Sequence, residues 1–170
     1  MVVFSKMFRE ANSHIIEHNG KIIHRFYRFD KTGKYVFRFK FNSTNSEFIQ
    51  AIVMFFGEFE GDIFLNKNNI CKEKKKFSHF AFYEDSFPKQ FDLNINIKSG
   101  HLTICNGSDA DGTRRGCETL VWGCAMIVET LSENHFKFFC NDHELDDDFD
   151  DLIFELEIIE VEDFEDIKSN

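Results

Sequence analysis

The densest group of chemically active side chains lies in ten consecutive residues, 142–151, which we call the acidic loop. Seven of the ten are carboxylates: Asp142, Glu144, Asp146, Asp147, Asp148, Asp150 and Asp151. Negative charges this close together repel one another, and a hard divalent cation removes that repulsion. Calcium takes roughly six to eight oxygen ligands from carboxylates, carbonyls and water. The segment therefore predicts a calcium site where a loop enters a strand, and a solvated acidic loop is the alternative.

The order of residues within the acidic loop strengthens the calcium interpretation. Residues 146–154 read Asp-Asp-Asp-Phe-Asp-Asp-Leu-Ile-Phe. This run resembles the D-x-D-F-N-D-[LVI]-[VLI]-F signature near the end of calcium-binding β-sandwich domains of the LruC type and their bacterial adhesin relatives. Asp150 stands where that family has Asn, which keeps an oxygen ligand but adds a charge. The resemblance implies bound calcium.

A second and looser resemblance covers more of the chain. Residues 123–128, then Asn141-Asp142, the acidic loop and a final strand follow one another in an order similar to that of the small galactophilic bacterial lectins of the PA-I type. Those lectins are calcium-dependent jelly rolls, and the resemblance implies metal-ligating roles for Asp142 and, more loosely, for Asp146 and Asp150. None of their sugar-contacting motifs is matched here. The predicted metal ligands are Asp142, Asp146, Asp148, Asp150 and Asp151.

Residues 106–118 form a second candidate site, because three glycines predict a long loop and such loops are often functional. An EF-hand is excluded, since Gly112 at its sixth position would place Gly107 first, where a carboxylate is needed. Carboxylates here could bind the same ion or a ligand's hydroxyls, Arg114 and Arg115 could pair with acids, and the lone Trp could stack on a sugar face. The alternative is turn-forming aspartates, solvated arginines and a core Trp. The predicted ligand-binding residues are Asp109, Asp111, Arg114 and Trp122.

Composition and periodicity predict the fold. The chain has 170 residues with 23 Phe and one Pro, which favours a single domain with a Phe-filled β core. Residues 35–41 and 91–97 alternate between apolar and polar, as half-buried strands do, and Asn19-Gly20 predicts a hairpin turn. Roughly eight to ten short strands without a long helix indicate an all-β, antiparallel, jelly-roll-like β-sandwich. We assign it to residues 13–160, after an arm or short helix over 1–12 and before an acidic tail over 161–170.

Charge and cysteine usage narrow the partners and the compartment. The net charge of -10 argues against nucleic acid and anionic membrane surfaces as partners, and no stretch is apolar enough to cross a bilayer. The five cysteines lack C-x-x-C pairs, which suits reduced thiols. The first residues lack a secretory signal. We expect a cytoplasmic protein, with unconventional export left open.

The sequence lacks the common enzymatic motifs. The chain has no G-x-S-x-G elbow, no Walker loop and no His-x-Asp/Glu pattern of jelly-roll oxygenases, so we predict a protein that is not an enzyme. The favoured function is calcium-dependent carbohydrate binding, as a lectin-like or adhesion module. The alternative is an intracellular protein-interaction module in which calcium is structural and no sugar is bound. Its partner is then a protein ligand, and homo-oligomerisation stays open.

Overall fold

The computed structural model describes residues 2–71, 79–114 and 116–164. Among them, no helix is long and apolar enough to cross a lipid bilayer. One short helix, α1 (Phe4–Glu10), precedes the strands. In chain order these are β1 (Ile15–His18), β2 (Lys21–His24), β3 (Tyr27–Phe29), β4 (Gly33–Thr44), β5 (Ile49–Phe55), β6 (Phe59–Leu65), β7 (Asn68–Asn69), β8 (His79–Tyr83), β9 (Gln90–Gly100), β10 (Leu102–Asp109), β11 (Glu118–Thr119), β12 (Ala125–Ser132), β13 (His135–Asn141) and β14 (Leu152–Val161).

The strands form two antiparallel sheets. The large sheet has the order β1-β2-β12-β13-β14-β4-β9-β6-β7, and the small sheet has the order β11-β10-β5-β8, with β3 pairing to β10. The predicted turn at Asn19-Gly20 joins β1 to β2, and both residues have positive φ, as a tight hairpin requires. The prediction of an all-β sandwich with antiparallel sheets is confirmed.

The main core lies between the sheets and is filled by the alternating residues of the long strands. In β4, Tyr35, Phe37, Phe39 and Phe41 are buried, and in β9 the residues Phe91, Leu93, Ile95 and Ile97 are buried. Phe39 pairs with Phe91 in register, so the two apolar rows meet on one face. On the other face Arg38 donates to Asp92 with 3.0 Å between nitrogen and oxygen. The period-two prediction for both strands is therefore confirmed.

A second, smaller core lies on the opposite face of the large sheet. Phe4 and Phe8 of α1 pack there against Ile23, Ala125 and Phe149. Ala125 precedes Met126, whose side chain belongs to the main core, so the two cores take alternate residues of β12. The predicted arm or short helix over 1–12 thus contains a helix that is packed onto the sandwich.

The last strand continues one residue into the predicted acidic tail. Strand β14 ends at Val161, whereas the predicted tail spans 161–170. Residues 165–170 of that tail lie outside the described residues.

Phe39→Ala tests the main core. Phe39 is fully buried and its ring lies against those of Phe82, Phe91 and Phe154. Truncation removes apolar contact and leaves a cavity, so we expect a loss of about 3–5 kcal/mol in the free energy of unfolding, measured by urea denaturation. Ile22→Ala, at an exposed position, is the control and should change this free energy by less than about 0.5 kcal/mol. Equal costs for the two variants would contradict the assigned core.

Candidate metal centre

The acidic loop joins two neighbouring strands of the large sheet, because β13 ends at Asn141 and β14 begins at Leu152. Within it, Asp146, Asp148 and Asp151 each present a carboxylate oxygen, and these oxygens lie within 4.8 Å of one another. Asp146 and Asp148 are exposed, whereas only 3% of Asp151 is exposed. Within the described part of the chain, no other group of three His, Cys, Asp or Glu side chains converges in this way. We call these three residues the aspartate cluster.

The acidic loop is held down by an aromatic anchor at its centre. Phe149 has a φ of +58°, in the left-handed region that costs most side chains roughly 1–2 kcal/mol. Its ring is buried in the smaller core, with its centroid 5.5 Å from that of Phe4. Burial of a Phe side chain offsets this strain. The left-handed turn therefore falls between Asp148 and Asp151, inside the aspartate cluster.

The aspartate cluster is electrostatically crowded. Burial is the largest cause that raises the pKa of the Asp151 carboxyl, and the charges of Asp142, Asp148 and Asp146 act in the same direction. Against the opposing hydrogen bond from the backbone N–H of Asp142, they raise this pKa to about 7. Burial is also the main cause that raises the pKa of Asp148. The cluster thus favours a bound proton, or an equivalent cation, over three free negative charges.

Asp142, a predicted metal ligand, lies beside the aspartate cluster and is not part of it. It is fully buried, and its Oδ2 accepts hydrogen bonds from Ser46 Oγ at 2.7 Å and from Gln50 Nε2 at 3.2 Å. Its Oδ1 accepts from the backbone N–H of Glu144 at 2.8 Å. The backbone N–H of Asp142 donates to Asp151 Oδ2 at 2.8 Å. Asp142 therefore positions a cluster residue.

Asp150, the remaining predicted ligand, also lies outside the aspartate cluster. Its Oδ2 accepts a hydrogen bond from Asn45 Nδ2 at 3.0 Å. Its Oδ1 is enclosed and has no hydrogen-bond partner among the described residues. Asp150, which stands where the LruC-type signature has Asn, therefore bonds to Asn45, the residue that follows β4. Of the five predicted ligands, the structure brings together three.

Part of the predicted loop 106–118 is strand. Residues 106–109 belong to β10 and pair with β5, which contradicts the expectation of a loop beginning at 106. Polar side chains are buried here because they find partners across the sandwich: Asn106 Nδ2 donates to the carbonyl of Asn141 at 2.8 Å. Ser108 Oγ lies 2.9 Å from His143 Nδ1. This end of β10 supports the start of the acidic loop.

The three polar residues predicted for ligand binding near this loop bond to nearby groups. Asp109 is 2% exposed, and its Oδ2 accepts from the backbone N–H of Arg114 at 3.2 Å. Asp111 is exposed and accepts from the backbone N–H of Thr113 at 2.9 Å. The guanidinium of Arg114 forms an ion pair with Asp85. The bonds of the two aspartates favour the turn-forming alternative, whereas the ion pair of Arg114 contradicts a solvated arginine. Arg115 lies outside the described residues, and none of the three residues joins the aspartate cluster.

Trp122 lies at the surface, so the alternative of a core Trp is wrong. Its side chain is 58% exposed, and its carbonyl accepts from the backbone N–H of Ser5 at 2.9 Å. The next residue, Gly123, lies directly against the acidic loop, because a Cβ there would come 1.7 Å from the carbonyl oxygen of Glu144. Asn141 Nδ2 also donates to the Gly123 carbonyl at 3.0 Å. The backbone of Trp122 and Gly123 therefore lies between α1 and the acidic loop.

The chain was compared with protein-family models, with curated proteins and with solved structures, and none of these matches it. A function is accordingly inferred from the chemistry of the aspartate cluster and its surroundings.

Asp151→Asn tests the charge crowding in metal-free buffer. The pKa of Asp151 is about 7 in the folded protein against 3.8 in the unfolded chain, so the folded state holds more protons between those pH values. The free energy of unfolding should therefore fall as pH rises from about 4 to about 7, by up to about 4 kcal/mol at about 1.4 kcal/mol per pKa unit. Urea denaturation across this range should show a shallower decline in Asp151→Asn.

Asp147→Asn is the matched control for this measurement. Asp147 belongs to the same loop, but its Oδ2 lies 3.5 Å from His18 Nε2, on the β1–β2 hairpin. This variant should retain the wild-type decline. A decline of the same size in Asp151→Asn would show that this carboxyl is not the source.

Proposed function

We propose that this protein is a calcium-binding β-sandwich that recognises a carbohydrate, as a lectin-like or adhesion module. Asp146, Asp148 and Asp151 are the residues that hold the ion. The observation that carries the proposal is the convergence of their carboxylate oxygens within 4.8 Å. Calcium is the cofactor, and the acidic loop is the element that it organises.

The all-oxygen donor set suits a hard divalent cation, and calcium is the ion that the sequence resemblance implies. Two oxygens that each lie about 2.4 Å from one ion are at most about 4.8 Å apart, so the cluster is compatible with a single calcium ion. Magnesium needs shorter distances, near 2.0–2.1 Å, and a stricter octahedron. The cluster offers neither thiolate nor imidazole, the ligands that softer transition metals prefer. Backbone carbonyls and water would complete the coordination.

The bound ion would stabilise the folded protein. It neutralises the carboxylates and displaces the proton that the raised pKa of Asp151 favours. An ion that binds only the folded state adds a free energy that grows with the logarithm of its concentration. Because Phe149 connects the acidic loop to Phe4, the ordering would extend to α1.

Exposure of the cluster supports carbohydrate recognition. Asp146 and Asp148 are exposed, so an ion that they hold would face solvent and could be reached by hydroxyl groups. In the lectins that the sequence resembles, calcium binds sugar hydroxyls in this way. Trp122, the residue before the Gly123 that lies against this loop, adds an exposed flat aromatic surface of the kind that binds apolar faces of ligands.

A second candidate function is an intracellular protein-interaction module with structural calcium. It is favoured by apolar side chains at the edge of the large sheet, where Ile15 is 43% exposed and Ile22 is 54% exposed. Ile15 and Glu17 share one face of β1, and Glu17 pairs with Ile22, so both isoleucines lie on that face. An edge strand that carries exposed apolar residues suits a protein partner or a second copy of the chain.

The calcium site is tested by unfolding in calcium, in magnesium and in chelator. We expect calcium to raise the free energy of unfolding by about 2.7 kcal/mol at a hundredfold excess over its Kd, and magnesium to raise it less. Asp146→Asn/Asp148→Asn removes two ligands and should abolish the increase, whereas Asp147→Asn should keep it. If millimolar calcium leaves the wild-type transition unchanged, the acidic loop is solvated charge.

The two candidate functions are separated by a glycan screen in calcium and in chelator. The lectin-like function predicts retention on at least one glycan that needs calcium and is lost in Asp146→Asn/Asp148→Asn. The interaction function predicts no retention but an oligomer or partner complex that Ile15→Lys/Ile22→Lys disrupts. Calcium-stabilised protein that binds no glycan would favour the second function.

A further inference from the structure

A groove with a volume of about 1010 Å³ runs beside α1. We call it the α1 groove. It is enclosed by α1, by the residues on either side of the β1–β2 hairpin and by the loop before β12. The residues that give it chemical character are Lys6, Arg9, His14, Arg25, Phe26 and Trp122. Ligand clefts commonly have volumes of roughly 300–1,000 Å³, so this groove can hold more than one sugar ring.

The α1 groove is positively charged in a chain whose net charge is -10. Lys6, Arg9 and Arg25 line it, and no Asp or Glu among the described residues does. Lys6 lies 3.7 Å from Glu10, but both side chains are largely exposed, which makes this a weak ion pair. The groove therefore attracts anions, whereas the acidic loop attracts cations.

Arg25 is the most specific feature of the α1 groove. Its backbone N–H donates to the carbonyl of His14 at 2.8 Å, which fixes its position after β2. Its side chain is half-buried, and its Nε is enclosed without an acceptor among the described residues. No carboxylate of the described ranges forms an ion pair with it either. A partly buried guanidinium without a counter-ion is costly, and a carboxylate bound in the groove that Arg25 lines would supply that counter-ion.

Flat aromatic surfaces accompany these cations. The rings of His14 and Phe26 stack with centroids 4.8 Å apart at an angle of 11°. Trp122 supplies an exposed indole in the same groove. A ligand that fits therefore combines a flat, partly apolar ring with a carboxylate, and a chain of acidic sugars has both on every unit.

We propose that the α1 groove binds an acidic oligosaccharide, with its carboxylates on Arg25, Arg9 and Lys6 and a sugar ring on Trp122. The proposal rests on the carbohydrate function proposed above and names its ligand class. It adds ligand contacts at residues separate from the aspartate cluster, which holds the ion. Segment 106–118, where Asp109, Asp111 and Arg114 bond to one another and to nearby groups, is not needed for it.

The α1 groove and the acidic loop are mechanically connected. The backbone N–H of Val2 donates to the carbonyl of Leu145 at 3.3 Å, and that of Ser5 donates to the carbonyl of Trp122 at 2.9 Å. The ring of Phe149 packs against that of Phe4 on α1, in the smaller core. An ion in the acidic loop would thus order two walls of the groove, and we expect tighter saccharide binding in calcium.

The lone Trp makes the test direct, because fluorescence excited selectively at the indole, and not at the three tyrosines, reports only on Trp122. We would titrate the protein with a tri-hexuronate and with the neutral trisaccharide of the same linkage, in calcium at physiological salt. We expect a saturable change with the hexuronate and none with the neutral sugar. The absence of any saturable change with the hexuronate would overturn the proposal.

Two variants locate the binding, and each keeps the fluorescent reporter. Arg25→Gln and Arg9→Gln should each weaken hexuronate binding at least about tenfold. Arg9 is exposed, so Arg9→Gln should unfold at the same urea concentration as the wild type, which checks that weaker binding is not a loss of folding. Arg28→Gln is the matched control, because Arg28 is exposed and bonds to His101, and it should bind as wild type. Equal affinity for poly-glutamate, or equal weakening in all three variants, would refute a saccharide site at this groove.

Repeating the titration in chelator and in Asp146→Asn/Asp148→Asn separates the two proposals. Hexuronate binding that persists unchanged under both conditions supports the α1 groove and contradicts its dependence on calcium. Calcium-dependent stabilisation without any hexuronate response supports the aspartate cluster and overturns the groove.

Discussion

The burial of the Phe149 ring is the interaction on which the functional end of the sandwich depends. A loop with seven carboxylates in ten residues does not fold on itself, because its charges repel. One aromatic side chain inserted into the smaller core fixes the middle of the loop, although its backbone must adopt a left-handed conformation. Strain of this kind is retained where the surrounding packing more than repays it. In the acidic loop it brings together Asp148 and Asp151, which Phe149 separates along the chain.

The same anchor makes three separate segments into one unit. Phe149 contacts Phe4 on α1, and α1 hydrogen-bonds to the loop that carries Trp122. Gly123 connects the Trp122 loop to the acidic loop, because only a residue without Cβ can lie against the Glu144 carbonyl. A change in the charge of the acidic loop would therefore alter the packing of α1 and the position of the loop that carries Trp122. The long strands of the main core serve as the rigid base for this unit.

Local sequence pattern was sufficient to predict the sheets and the position of the acidic cluster. Alternation in 35–41 and 91–97 predicted which side chains fill the core, because a strand places successive residues on opposite faces. Charge density and the run 146–154 predicted Asp146, Asp148 and Asp151. Both are properties of neighbouring residues, which the sequence displays directly.

What the sequence could not show depends on residues far apart in the chain. Asp142 is not part of the cluster, and its side chain accepts hydrogen bonds from Ser46 and Gln50, roughly ninety residues earlier in the chain. No pattern in the neighbouring sequence predicts those bonds. Residues 106–109 have the composition of a loop but are strand, because Asn141 and β5 satisfy their polar groups. The α1 groove likewise combines three segments that only the fold brings together.

The acidic loop and the α1 groove carry opposite charges, and the charge of the loop affects which ligands the groove can bind. Without an ion, the carboxylates of the acidic loop repel any acidic ligand that approaches the neighbouring α1 groove. In the function proposed above, a divalent cation in the aspartate cluster would reduce that repulsion and, through Phe149 and α1, would order the groove. Coupling between two binding equilibria is reciprocal, so an acidic ligand in the groove would tighten the proposed calcium binding by the same factor. A net charge of -10 would then favour selectivity, because it repels anions that cannot engage Arg25.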